Sequence, residues 1–427
     1  MSNTDGQIKR GVLVIFFSLV LDLLAFTVIL PLFPSLFDHY EKHDTGTLYS
    51  SMKASVQTFQ QALGVPDNFN SVLFGGLIGS LFSFLQFLSS PLVGGLSDIY
   101  GRKPLLLITM VGILASYALW AAADSFAVFI LARIIGGLSK GNISLSTAIV
   151  SDLSSEKTRG KAMALIGVAF SIGFTLGPVI GAAFVVWSKG TSNWFIYPAW
   201  FAIILMVLDI IYVVYFFEES LPLEKRSGSV TGSLGQAAHF INPSSLFAFH
   251  LVKDLKAEEW RNLKRIGMIY FLYLLFFSGL EFTLTFLTHI HFSFDSMRQG
   301  RMYAFIGITM ALLQGVFGLM SMVPAFFIIG LATTTAWLYF GLFFFSAGSA
   351  IVVPCLTTLV SGYGGERQRG LVLGTFRSLG ALARAIGPLV ASLVYWSVGP
   401  ALCYVLGAVL LIIPFKMMQK TNIPNQL

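Results

Sequence analysis

The chain has 427 residues, of which 56% are apolar and only 11% charged, with a formal net charge of +7. A soluble domain carries about 25% charged residues, so this composition excludes a water-covered globule and defines an integral membrane protein. The basic excess falls in short clusters beside apolar runs, which argues against a nucleic-acid partner and fits retention on the cytoplasmic face of a lipid bilayer.

Met1 to Arg10 are polar and lead into an apolar run too long for a signal-peptide core, so that run is expected to stay as helix 1, about Gly11 to Pro34. A polar stretch, Phe37 to Asn70, follows. Within it Leu48, Met52, Val56, Phe59 and Leu63 recur at helical spacing and predict an amphipathic helix, either capping the protein, lying on the membrane, or simply filling a loop. Two apolar runs, Ser71 to Val93 and Pro104 to Ala123, make helices 2 and 3. Between them Gly94 to Lys103, Gly-Gly-Leu-Ser-Asp-Ile-Tyr-Gly-Arg-Lys, reads as a very short charged hairpin. Helix 4 is expected over about Phe126 to Val150, helix 5 over Ala162 to Trp187 and helix 6 over Phe195 to Phe217. The polar segment from Glu218 to Arg265 divides the chain. In it Leu246, Phe249, Val252, Leu255 and Trp260 lie among basic residues and predict a surface helix over Asn242 to Lys264.

Helix 7 is expected over Ile266 to Thr288. Met302 to Gly365 contains no Asp, Glu, Lys, Arg or His, and at about 20 residues per span it holds helices 8, 9 and 10 with little left for loops. Helix 11, Leu371 to Trp396, and helix 12, Ala401 to Lys416, complete twelve. With this count most Lys and Arg fall on the side of the Gly94 to Lys103 hairpin, which places both termini in the cytoplasm. Glu156, Arg159, Gly160, Gly177 and Pro178 recur at constant offset as Glu366, Arg369, Gly370, Gly387 and Pro388, so the chain is read as two related halves. The expected domains are a six-helix bundle over 1–217, a linker over 218–265 and a second bundle over 266–427.

The pattern G-x-x-x-D-x-x-G-R-K in Gly94, Asp98, Gly101, Arg102 and Lys103 resembles the loop between helices 2 and 3 of the major facilitator superfamily. Gly173-Phe-Thr-Leu-Gly177-Pro178-Val-Ile-Gly181 resembles the helix 5 motif of its antiporters, and Leu21-Asp22-Leu-Leu-Ala-Phe-Thr27 resembles the first helix of the tetracycline/proton exchangers. The chain is thus similar to the drug/proton antiporter branch. That resemblance implies an all-α fold of twelve transmembrane helices in two pseudo-symmetric six-helix bundles. It also implies export of small organic anions and amphipathic drugs by alternating access, in exchange for a proton or a counter-solute. A uniporter or symporter of a small metabolite, and a scaffold that transports nothing, stay open as alternatives. A monomer in the plasma membrane is the default expectation.

Two departures from the family pattern stand out. Ile99 replaces the frequent basic residue after Asp98. After Gln314 the chain goes straight to Gly-Val-Phe-Gly-Leu-Met-Ser-Met-Val-Pro324, where a second, degraded basic loop is implied, so helix 8 or 9 is expected to be short.

Ionisable residues inside spans are costly and mark function by default. Asp22 (helix 1), Arg133 and Lys140 (helix 4), Glu281 (helix 7), and Arg377 and Arg384 (helix 11) are the candidates for substrate binding or proton coupling. Arg133 opens Arg-Ile-Ile-Gly-Gly, similar to the family's helix 4 motif, with Gly136 where glutamine is frequent. The resemblance ties that arginine to proton coupling through a nearby carboxylate, and Asp22 and Glu281 are the carboxylates nominated. An ion pair holding helices 1 and 4 together is the structural alternative. Lys140, Arg377 and Arg384 exceed what two carboxylates neutralise, which favours an anionic substrate. Asp209 in helix 6 is read as structural. The resemblance casts Asp98, Arg102 and Asp152 as a conformational latch. No G-x-x-x-x-G-K-[ST] loop occurs, and Cys355 and Cys403 lie in apolar runs, so no ATP-driven step, enzyme activity, cofactor or metal is expected.

Overall fold

The computed structural model describes residues 2–44, 46–63, 70–154, 156–188, 194–226, 238–250, 255–312, 321–361 and 365–421, with 191, 235, 252 and 363. Among them it is all-α, without a strand. The helices are α1 (Ser2–Thr27), α2 (Phe33–His43), α3 (Leu48–Leu63), α4 (Asn70–Tyr100), α5 (Arg102–Ala121), α6 (Phe126–Ser139), α7 (Asn142–Leu153), α8 (Glu156–Trp187) and α9 (Ile196–Phe216). They continue as α10 (Pro243–Ala248), α11 (Ala257–Phe292), α12 (Ser296–Leu312), α13 (Met322–Gly330), α14 (Thr335–Ser361), α15 (Gly365–Val398), α16 (Pro400–Leu410) and α17 (Ile412–Gln419). Nine segments among the described residues are long and apolar enough to cross a bilayer. The charge-free interval, where three further spans are expected, holds most of α12 together with α13 and α14. The missing-loop expectation centres on residues 313–320, which lie outside the described residues.

Several boundaries differ from the hydropathy reading. Helix 1 does not end at Pro34: the apolar segment continues to His43 through α2, which begins at the Pro31/Pro34 turn. Its buried Phe33, Phe37 and Tyr40 repeat at helical spacing and pack on Phe126 and Phe129 of α6, the Tyr40 hydroxyl donating to the Ala123 carbonyl at 2.9 Å. Hydropathy scores the charges of this segment and misses its aromatic stripe. Helix 4 is broken at Lys140–Gly141, giving α6 and α7. The Gly94 to Lys103 stretch is not a loop. Gly94 to Tyr100 complete α4, α5 starts at Arg102, and Gly101 alone makes the turn with φ +104°, a backbone conformation only glycine adopts without strain.

No single surface helix covers Asn242 to Lys264. Instead α10 is capped by Asn242 and ends at Phe249, which takes a left-handed conformation with φ 50°, and the next helix begins at Ala257. Leu246, Phe249 and Val252 are buried rather than spread along a membrane-facing stripe. Phe249 lies against Gly267 of α11, where a Cβ would collide with its ring.

The chain forms two compact units. Unit 1 comprises 1–52, 88–237 and 294–307, and unit 2 comprises 53–87, 238–293 and 308–427. In unit 1, α1 packs along α8 and α9, and α5 along α6 and α9. In unit 2, α11 packs along α15, and α13 along α14 and α16. The two units repeat one device. A Gly-Pro helix lies close against another helix, Gly177 of α8 facing Thr27 of α1 and Gly387 of α15 facing Ser278 of α11. Each Gly-Pro helix also receives a glycine from a third helix: Gly300 of α12 sits on Ala182 and the Pro178 carbonyl, and Gly76 of α4 on Ser392 and the Pro388 carbonyl. Ala182 and Ser392 stand at the same offset as Pro178 and Pro388, so the internal repeat in the sequence is a repeat of packing.

Candidate functional site

In unit 1 the charged centre is built from α1 and the break in helix 4. Lys140 is the residue at that break, and its ammonium donates to both carboxylate oxygens of Asp22 at 2.8 Å. Both side chains are buried, at 2% and 1% exposure, and the ammonium lies 4.7 Å from the centroid of the Phe26 ring. A buried pair with matched geometry costs much to break, because either member left alone is an unpaired charge in low dielectric. Asp22 is thus paired with the Lys140 ammonium. Arg133 stands two turns earlier on α6, buried, with its guanidinium 5.7 Å from the centroid of the Phe33 ring. Lys140 is neutralised by Asp22, which leaves Arg377 and Arg384 against Glu281.

The α8 motif supplies a close seam beside this pair. Gly173 and Gly177 meet Leu23 and Thr27 of α1, Gly181 meets Val28 just beyond its end, and a Cβ on any of the three would collide there. The Thr27 hydroxyl, seated on this seam, lies 2.7 Å from both the Leu23 and the Gly173 carbonyls. Pro178 is within α8 and buried.

Unit 2 carries the other candidates. Arg377 and Arg384 on α15 are exposed, although the helix around them is apolar, and neither has an ion-pair partner among the described residues. Glu281 on α11 is half-buried and couples electrostatically to Arg384. Tyr270 of α11 stacks on Phe376, the neighbour of Arg377, with ring centroids 3.8 Å apart. Gly380 makes room for that ring, since a Cβ there would come within 2.7 Å of it.

The residues expected to form a latch gather around Arg102 at the α4–α5 turn. Arg102 pairs with Asp98 at 2.7 Å and with Asp152 at 2.9 Å, and donates to Ser97 Oγ at 2.5 Å. Ser97 in turn donates to the Gly94 carbonyl at 2.6 Å. Lys103 donates to the Val214 carbonyl near the C-terminus of α9. Sequence reasoning missed Glu219, which accepts from the backbone N–H groups of Arg102 at 2.9 Å and Lys103 at 3.1 Å and lies 3.6 Å from Arg226. It caps α5 from beyond α9, where the helix macrodipole favours an anion. A signal existed: α5 has no acidic residue in its first turn, and Glu218-Glu219 follow helix 6 directly.

Buried charge on broken membrane helices, glycine seams repeated in two units and a charged α4–α5 turn define a secondary transporter, and the chain belongs to the Major Facilitator Superfamily, whose sequence model matches residues 15–323. Members of this family are transporters, not enzymes. The chain is 46% identical over 440 residues to major facilitator superfamily domain-containing protein 10 of Homo sapiens, covering 98% of this chain and 94% of the relative. The crystal structure of the human organic anion transporter MFSD10 (TETRAN) superposes with a TM-score of 0.82 at 45% identity, over 96% of this chain and 99% of that one. The class B tetracycline resistance protein of Escherichia coli is 25% identical over 332 residues, 75% of this chain and 78% of the relative. A D-xylose–proton symporter shares the fold, with a TM-score of 0.71 at 16% identity over 98% of this chain and 99% of that one.

Proposed function

We propose that the chain exports organic anions and amphipathic drugs by alternating access, as a monomer, in exchange for protons or a second solute. The observation that carries this is the pair of exposed arginines, Arg377 and Arg384, on a membrane helix without a paired carboxylate among the described residues. A guanidinium at such a depth is costly unless water or an anion neutralises it, and its planar fork suits carboxylate and sulfonate groups. The stacked Tyr270 and Phe376 provide an aromatic wall next to Arg377 for the body of an amphipathic anion. The printed description of the human relative as an organic anion transporter supports the same substrate class. In this reading the halves 1–217 and 266–427 rock about the linker, both termini face the cytoplasm, and the Arg102 cluster locks one state. Proton coupling falls to Asp22 with Lys140, tuned by Arg133, and to Glu281 with Arg384. The Gly173–Gly181 seam is the pliable joint that antiport requires.

The test is uptake of naphthalene-2-sulfonate into proteoliposomes with and without a pH gradient. A sulfonate stays ionised and cannot leak across lipid as a neutral acid, so accumulation reports the protein. Wild type accumulates the probe with the gradient, and Arg384→Ala loses about tenfold or more of saturable uptake, as expected for one charge-assisted hydrogen bond. Saturable uptake indifferent to the gradient removes proton exchange and favours a uniporter. No saturable flux from folded protein overturns transport of this class.

A further inference from the structure

Two histidines stand near the C-terminus of α2. Hydropathy closes helix 1 at Pro34, and only the continuation of helical structure to His43 sets His39 and His43 one turn apart on one helix face. Their rings lie 4.8 Å apart at the centroids and 24° from parallel. His39 is half-buried, its ring in edge contact with Phe195 at 5.2 Å and with Tyr40 at 5.6 Å, while His43 is exposed. His43 Nδ1 lies 3.1 Å from the His39 carbonyl oxygen. A carbonyl only accepts, so Nδ1 carries the proton and donates, which leaves Nε2 with the lone pair that a metal ion takes. Tying one ring nitrogen to the backbone and leaving the other open is how proteins orient a ligating imidazole. The ring nitrogens of His39 make no hydrogen bond among the described residues.

Two histidines four apart on a helix are the zinc-holding pair of the H-E-x-x-H pattern, so helix geometry admits an ion shared between them. The charge around the pair favours a cation as well. Asp38 and Glu41 accompany Lys42 in the last turns of α2, and Asp44 follows as its cap, which sets three carboxylates against one ammonium. Asp44 is itself spent on the backbone N–H groups of Phe126 and Gly46, and so ties the end of α2 to the start of α6. No third His, Cys, Asp or Glu joins the pair among the described residues. We propose that His39 and His43 form an open site for a divalent cation of the zinc class, with two protein ligands and water in the remaining positions. Imidazole nitrogen suits zinc, copper and nickel ions, whereas magnesium and calcium take oxygen. The site lies at the end of unit 1 away from the N-terminus. Gly11 meets Leu153 beside the Asp152–Arg102 pair, whereas α2 closes on Ala123 and Phe126 past the other end of α5. At its own start α2 sets the Phe33 ring 5.7 Å from the Arg133 guanidinium, so a bound ion stiffens the segment on which Arg133 rests. The inference is independent of which solute is carried.

The experiment titrates zinc ion into full-length, detergent-solubilised protein, purified through a tag without histidine and stripped with a chelator. Binding is read by calorimetry and by the thermal midpoint. Wild type is expected to bind one ion per chain saturably, with a midpoint that rises with zinc. Loss of an outer partner alone weakens a metal site about 10–100-fold, so His39→Gln and His43→Gln, which each remove a ligand, are expected to lose about tenfold or more in affinity. Because the ion is shared, combining the two changes is expected to add little to either. His43 is exposed, and His43→Gln is expected to match the wild-type midpoint without zinc, which separates lost binding from lost folding. Full zinc affinity in His43→Gln overturns the proposal, as does wild type without saturable binding. Two ions per chain, lost one at a time, would make each histidine a separate ligand and overturn the shared site. The chain has four other histidines, His239, His250, His289 and His291; binding that is kept in His43→Gln and lost when these are changed to Gln would place the ion elsewhere. An excess of magnesium ion is expected to leave the zinc titration unchanged, and displacement by magnesium would mark an oxygen site and overturn the histidine assignment.

Discussion

Replacing Lys140 by Met leaves a carboxylate of 1% exposure without its counter-ion. At 2.8 Å and an effective dielectric of about 20, the direct attraction lost is about 6 kcal/mol. Part of that is offset by relief of burying the ammonium, so removing one partner is expected to cost about 3–5 kcal/mol. Met keeps the length and apolar volume of the lysine stem, which limits any cavity. For a unit of roughly 200 residues this corresponds to a fall in the apparent thermal midpoint on the order of 10 °C. Asp22→Asn alone is expected to destabilise similarly, because it strands the ammonium. Asp22→Asn with Lys140→Met removes both charges and is expected to return to within about 1–2 kcal/mol of wild type. The assay is a double-mutant cycle on thermal unfolding of detergent-solubilised protein, followed by intrinsic fluorescence. An interaction energy near zero, with the double mutant losing the sum of the single losses, would refute the buried-pair argument. Transport then separates structure from coupling: a stable double mutant that still follows the proton gradient makes the pair only a brace between α1 and the α6–α7 break.

Three further outcomes follow from the packing. Gly181→Ala places a methyl on the Val28 carbonyl oxygen, backbone that cannot rotate away, and is expected to cost about 1–3 kcal/mol in the unfolding assay; a midpoint equal to wild type would show that the α1–α8 seam opens freely. Glu219→Ala removes the cap from two N–H groups of α5 and is expected to cost about 1–2 kcal/mol, with amide exchange rising at Arg102 and Lys103 before the rest of the helix; uniform exchange along α5 would contradict the cap. Gly101→Ala combines a φ of +104° with a methyl that collides with Glu219 and Arg226, so its loss is expected to exceed that of Glu219→Ala. A smaller loss would mean the turn relaxes.

Most helices were readable because a bilayer demands about twenty apolar residues per span, and that requirement writes itself into hydropathy. The glycines of α8 were readable for a related reason: small residues four apart declare a close helix contact without naming the partner. Partners were the hard part. Arg133 and Lys140 share a helix face in any ideal helix, and only the break after Ser139 shows that Lys140 reaches Asp22. Asp98, Arg102 and Asp152, which the motif singles out, pair with one another, whereas Glu219 lies 117 positions from Arg102 and belongs to no local pattern. Phe249 and Val252 carried an amphipathic signal that was a folding signal, their apolar side chains being buried rather than spread on a membrane. Asp209 lies on a helix that the sequence places at the periphery, yet it is fully buried, because burial is a property of contacts rather than of position in the count.

The one-residue turn at Gly101 has a mechanical meaning. With only Gly101 between Tyr100 and Arg102, the ends of α4 and α5 can separate by no more than about 7 Å even if the turn is fully stretched. There is no slack: a tilt of α4 is delivered undamped to the first turn of α5, and through Glu219 and Arg226 to the segment leaving α9. A loop of several residues would absorb such a movement in its own backbone. This joint behaves as a crank pin, and two glycines inserted beside Gly101 would let α4 swing without turning α5.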